Sequence, residues 1–147
     1  YRNAYNNRGL AKYYLEDYSG AIADYNKAIA LDPEYRNAYN NRGLAKYYLE
    51  DYSGAIADYT KAIELDPEDR DAYYNRGLAK DNLEDYSGAI ADYTKAIALD
   101  PGHRSTYRAR GIAKEMLQDL NGACADWRKA AELGDTDAAL WVAKQCK

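Results

Sequence analysis

Residues 2–35 read RNAYNNRGLAKYYLEDYSGAIADYNKAIALDPEY, and residues 36–69 return the same letters except at Asn26/Thr60, Ala30/Glu64 and Tyr35/Asp69. The step continues down the chain. Gly9, Gly43, Gly77 and Gly111 are spaced by 34 residues, as are Ala21, Ala55, Ala89 and Ala123, and Pro33, Pro67 and Pro101. Tyr18, Tyr52 and Tyr86 keep the same interval, with Leu120 in the fourth place. A period of this length with helical spacing of apolar residues predicts a solenoid of helical pairs. The units are 2–35, 36–69, 70–103 and 104–137, and 138–147 completes a C-terminal helix; together they form one repeat domain.

Within a unit, the segment from Arg2 to about Leu15 carries Ala4, Ala11 and Leu15 on one stripe, which is expected to face the core. The segment from about Tyr18 to Leu31 carries Tyr18, Ala21, Ile22, Tyr25, Ala28 and Ile29 at gaps of three and four. That spacing describes an amphipathic helix with Asp24 and Lys27 expected in water. Gly9 and Ala21 are small enough to let the two helices of a unit approach closely. Asp32-Pro33 ends one unit and is expected to open the next, with Pro at the first helical position. The fold class expected is all-α.

The chain has 147 residues, a formal net charge of −4 and a pI near 5.0. That balance gives no basic face for phosphates, so no nucleic-acid partner is expected. No apolar run is long enough to span a bilayer, so no membrane partner is expected. Neither does a signal-peptide pattern open the chain, and the setting expected is cytoplasmic and reducing. Cys124 and Cys146 are accordingly expected as two buried thiols, with a disulfide the open alternative. The aromatic set is 17 Tyr, two Trp and no Phe. Many of those rings are expected to lie half-buried with the hydroxyl at a surface.

The residues Tyr5, Gly9, Ala11, Tyr18, Ala21, Tyr25, Ala28 and Pro33, repeated in the next two units, resemble the tetratricopeptide repeat over nearly the whole chain. That resemblance implies a right-handed α-solenoid of four antiparallel helix-turn-helix repeats whose concave groove holds extended peptides. Two positions depart from the family pattern. Arg8, Arg42, Arg76 and Arg110 stand where Leu is usual, and Glu16, Glu50, Glu84 and Gln118 stand where the inter-helix turn usually has Gly. The fourth unit drifts. ACADWRKAAELGDTDAALWVAKQC at 123–146 is similar to the Sel1-type repeat, and a short helix from about Asp135 carrying Trp141 is expected to cap the last pair. The near-identity of units one and two favours deliberate amplification of one unit, with very recent duplication the alternative.

On the first helix Asn3, Asn7, Leu10 and Tyr14 share a face, with Asn6, Leu10 and Tyr13 on the adjoining stripe. In the family this face lines the groove. Its copies are Asn37, Asn40, Asn41, Leu44, Tyr47 and Tyr48, then Asp71, Tyr74, Asn75 and Leu78, then Arg108 and Ile112. Asn7, Asn41 and Asn75 lie in register, and a carboxamide can pair with a peptide N–H and C=O together. The row resembles the asparagine ladder of some tetratricopeptide substrate-binding domains, and solvated surface inherited from a parent repeat is its alternative. The Tyr pairs divide between groove lining and packing between neighbouring first helices. Asn6 and Leu10 replace the Lys and Asn of the two-carboxylate clamp of chaperone-binding members, so no preference for a C-terminal carboxylate is expected.

Catalysis has no foothold. His103 is the only histidine and follows Pro101-Gly102 in a loop, where a surface or capping role fits. No zinc-ligand cluster or phosphate-cradling glycine loop is present, and each Glu-Asp turn pair suits capping. The chain is expected to be no enzyme and to need no cofactor. Its expected role is a binding scaffold for an extended peptide or protein segment. The alternative is a structural array that self-associates end to end.

Overall fold

The computed structural model describes residues 1–147 as nine helices. Their bounds are α1 Arg2–Tyr14, α2 Tyr18–Leu31, α3 Arg36–Tyr48, α4 Tyr52–Leu65, α5 Arg70–Asn82, α6 Tyr86–Leu99, α7 Arg104–Met116, α8 Leu120–Glu132 and α9 Thr136–Gln145. Each second helix packs on the first helix of its own unit and on the first helix of the next, and successive first helices touch along one side. The result is the expected all-α solenoid of helical hairpins closed by α9. No helix is long and apolar enough to cross a membrane.

The turns explain the periodic letters. Asp17, Asp51, Asp85 and Asp119 cap the second helices by accepting from the backbone N–H three residues on. The preceding Glu16, Glu50, Glu84 and Gln118 stand at φ between 60° and 65°, the left-handed corner for which glycine is the usual residue. Asp32 Oδ1 accepts from the Glu34 N–H at 3.1 Å, and Pro33-Glu34 form a separate turn before α3 starts at Arg36. Pro33 is therefore not the first helical residue, a correction to the sequence expectation. The Asx turn needs those two residues before the chain can redirect.

The core runs as a string of small clusters, one at each junction. Gly9 faces the Tyr25 ring so closely that a Cβ there would come within 2.6 Å of Cε1. Ala21 and Tyr25 pack with Ala45, Ala55 and Tyr59 with Ala79, and Ala89 and Tyr93 with Ala113. Several expectations need correction. Tyr25, Tyr59 and Tyr93 are fully buried rings, and the Tyr25 and Tyr59 hydroxyls have no partner. Leu15 follows the end of α1 and is 80 % exposed, and Ala4 and Ala11 are exposed as well. Cys124 and Cys146 form a disulfide, with Cα atoms 5.6 Å apart, because α9 folds back along α8. Trp141 of α9 meets Trp127 edge to face at 5.4 Å, so the last pair is covered as expected.

Candidate peptide groove

Asp24, read from sequence as solvent-facing, is buried, as are its copies Asp58, Asp92 and Asp126. Each lies 16 residues after an arginine of its own unit and receives both arms of that guanidinium. Arg42 Nε and Nη2 reach Asp58 at 2.9 and 2.5 Å, and Lys46 Nζ adds a contact at 2.9 Å. Arg76 with Lys80, and Arg110 with Lys114, repeat the arrangement on Asp92 and Asp126. The arginines that depart from the family pattern thus tie the first helix to the second. Their outer faces lie over Tyr5, Tyr39, Tyr73 and Tyr107 at 5.4 to 5.8 Å. In the first unit the hydrogen bond from Arg8, opposed by burial and helped by Lys12, holds the Asp24 carboxyl well below the usual carboxylate range.

With the helices pinned in this way, α1, α3 and α5 line an open groove of about 430 Å³. Its walls are Asn6, Leu10, Asn37, Asn40, Asn41, Leu44, Asp71 and Asn75, all singled out from sequence, together with Arg36 and Asp69, which were not. The carboxamides are partly paired among themselves. Asn41 Nδ2 donates to Asn6 Oδ1 at 3.0 Å, and Asn40 Nδ2 donates to Asp69 Oδ2 at 2.6 Å. The Asn40 Oδ1 has no partner. Arg36 forms an ion pair with Asp66, approaches Asp69 to 3.6 Å and donates to Asn37 Oδ1 at 3.1 Å. The floor is therefore polar, carries both charges and has Leu10 and Leu44 as its apolar walls.

A cavity of about 130 Å³ adjoins it, lined by Leu44, Tyr47, Tyr48, Tyr59, Asn75 and Leu78. Tyr47 accepts from Asn82 Nδ2 at 2.9 Å, and Tyr48 stacks on Tyr18 at 5.3 Å. Tyr13 meets Tyr14, Tyr18 and Tyr48 edge to face. The tyrosines thus serve both cavity lining and packing between units. Asn3, Asn7 and Tyr14 are exposed on α1 and form no part of either wall. Tyr74 is held against Tyr93 and His103. Arg108 pairs with Asp135 and Asp137 at the start of α9, and Ile112 is 38 % exposed on α7. His103 precedes α7, with its Nδ1 2.6 Å from Thr106 Oγ1. The wall residues missed from sequence had a signal: arginine opens every unit, at positions 2, 36, 70 and 104.

This architecture defines a helical-hairpin repeat scaffold of the protein-interaction class. The chain belongs to the tetratricopeptide repeat family: models described as TPR repeat match residues 9–49 and 43–81, and one described as Tetratricopeptide repeat matches 71–103. Among solved structures it is similar to MamA, at 28% identity and a TM-score of 0.88 over 94% of this chain and 81% of that one. The Arabidopsis OM64 TPR domain is 29% identical, with a TM-score of 0.76 over 78% of this chain and 94% of that domain. The first TPR of Spaghetti (RPAP3), solved bound to an HSP90 peptide, shares the fold at 24% identity and a TM-score of 0.78, over 80% and 93% of the two chains. No curated protein matches the chain by sequence.

Proposed function

We propose that the groove between α1, α3 and α5 binds an extended peptide chiefly through the peptide's backbone. The observation that carries this reading is the contiguous wall of Asn37, Asn40, Asn41 and Asn75 around an open groove of about 430 Å³. Carboxamides present a donor and an acceptor each, which matches the alternating groups of an extended chain. Leu44 and Leu78, with Tyr47 and Tyr48, supply an apolar subsite one unit further on. Arg36 and Asp71 at the rim would favour a segment with mixed charge over a purely acidic tail. Affinity through such a groove is modest, because a flexible peptide must be ordered on binding.

A display selection run in parallel on the parent and on Asn41→Ala/Asn75→Ala tests the reading. Peptides enriched on the parent alone are the expected result; equal enrichment on both proteins would contradict it. The Cys124–Cys146 bond fits an oxidising setting better than a cytoplasmic one, since reducing compartments keep such pairs as thiols. We also infer that the array arose by amplification of a single unit, since residues 2–35 and 36–69 differ at only three positions.

A further inference from the structure

One position of the second helices carries Tyr25, Tyr59, Tyr93 and Trp127, at intervals of 34 residues. Three of the four bury a polar atom with no partner: the Tyr25 and Tyr59 hydroxyls and Trp127 Nε1. Tyr93 escapes this because Asp81, on the first helix of its own unit, accepts from its hydroxyl. Unit two has Tyr47 where unit three has Asp81, so Tyr59 meets no carboxylate there. A buried hydroxyl left alone is unfavourable, and a ligand atom that accepts from it gains what the fold does not supply.

Tyr59 also stands in the wall of a cavity. The space of about 130 Å³ where α3, α4 and α5 meet is bounded by Leu44, Tyr47, Tyr48, Asn75 and Leu78 together with the fully buried Tyr59. It has room for about four waters, or for one side chain of that size. None of these residues is charged, so an ammonium or carboxylate entering would lose its hydration without a counter-charge. The leucines and tyrosine rings suit an aliphatic stem. Tyr59 offers a hydroxyl donor, and Asn75 a carboxamide that both donates and accepts. We propose that this cavity is a glutamine-selective side-chain pocket of the peptide groove. The glutamine stem would lie between Leu44 and Leu78, its carbonyl accepting from Tyr59 and its amide pairing with Asn75. Leucine fills the same space but leaves the hydroxyl unpaired, and methionine brings only a weak acceptor. Such a pocket rests on the peptide reading of the groove, and it would fix the register of the bound segment on unit two.

The test is selection of a random peptide display library on the full chain, on Tyr59→Phe, and on Asn41→Ala, whose side chain lines the groove but not this cavity. Peptides enriched on the parent are expected to share a glutamine at one position. On Tyr59→Phe, which removes only the hydroxyl, leucine or methionine should take its place. Replacing the glutamine of an enriched synthetic peptide by leucine should weaken binding to the parent roughly tenfold, and this difference should vanish on Tyr59→Phe. Circular dichroism checks that each variant is folded. Enrichment without a shared glutamine, or a glutamine retained on Tyr59→Phe, would overturn the pocket and leave the groove standing. Equal enrichment on Asn41→Ala, with the glutamine lost on Tyr59→Phe, would support the pocket and contradict backbone recognition. A library that enriches nothing on the parent would overturn both.

Discussion

At the scale of single residues, the repeat places one tyrosine, at three positions, in two different polar settings. Tyr25 and Tyr59 bury hydroxyls with no partner, whereas the Tyr93 hydroxyl donates to Asp81 Oδ2. An orphaned buried hydroxyl is costly, and a paired one contributes about 1 kcal/mol. Tyr59→Phe is therefore expected to leave stability unchanged or raise it by up to about 1 kcal/mol, while Tyr93→Phe lowers it by about 1 kcal/mol, both read from urea unfolding. Asp81 adds a pH signature. Burial pushes its carboxyl up to about 6, against the opposing effect of the Tyr93 hydrogen bond. A carboxyl whose folded value is raised stabilises the protein fully below its unfolded value near 4, and that contribution is lost as pH rises through about 6. Asp81→Asn should abolish this slope between roughly pH 4 and 6 and gain about 1 kcal/mol at pH 7, the figure being reduced for partial solvent screening. A slope that persists in the variant would assign it to another group.

At the scale of the helical pair, the Arg–Asp–Lys arrangement ties the first helix to the second around a buried carboxylate. Asp58→Asn would leave Arg42 and Lys46 without their shared counter-charge and is expected to cost about 3 kcal/mol in a chemical-denaturation midpoint series. A loss under about 0.5 kcal/mol would show the pair to be solvated instead. In the first unit the Asp24 carboxyl is held below its ordinary range, so its contribution is present above about pH 4 and declines as pH falls further. The helices themselves were legible in the letters, because the period and the gaps of three and four determine which faces are apolar. The buried aspartates were not. A charge at a helical position reads as surface, and only the fixed interval of 16 residues from Arg8 to Asp24 hinted at pairing. The wall was legible to the same extent: Asn6, Leu10, Asn37, Asn40, Asn41, Leu44, Asp71 and Asn75 stand in it, but Asn3, Asn7 and Tyr14 lie outside it. Helical spacing assigns a face, whereas the wall takes only those residues that also meet the next first helix, as Asn6 of α1 meets Asn41 of α3.

At the scale of the whole molecule, α9 covers the last helical pair. The disulfide fastens α9 over Trp127, and the unfolded chain it constrains spans a loop of sequence separation 22. Reduction is expected to cost about 3 kcal/mol by the loop-entropy argument, with early loss of α9 protection in hydrogen exchange. Equal melting temperatures for oxidised and reduced protein would show that packing alone holds the cap. Sequence could not decide the bond, since it depends on α9 turning back along α8. The polar wall, by contrast, is presented by the first helices α1, α3 and α5.

The most direct measurement on that wall is a backbone scan of a peptide enriched on the parent protein. Single N-methyl groups would be placed along it and titrated calorimetrically, beside an alanine scan of the same positions. Recognition of the backbone by Asn37, Asn41 and Asn75 requires N-methylation to weaken binding roughly tenfold at alternate residues while most alanine changes are tolerated. Binding that survives every N-methyl group and fails on side-chain truncation would contradict the account.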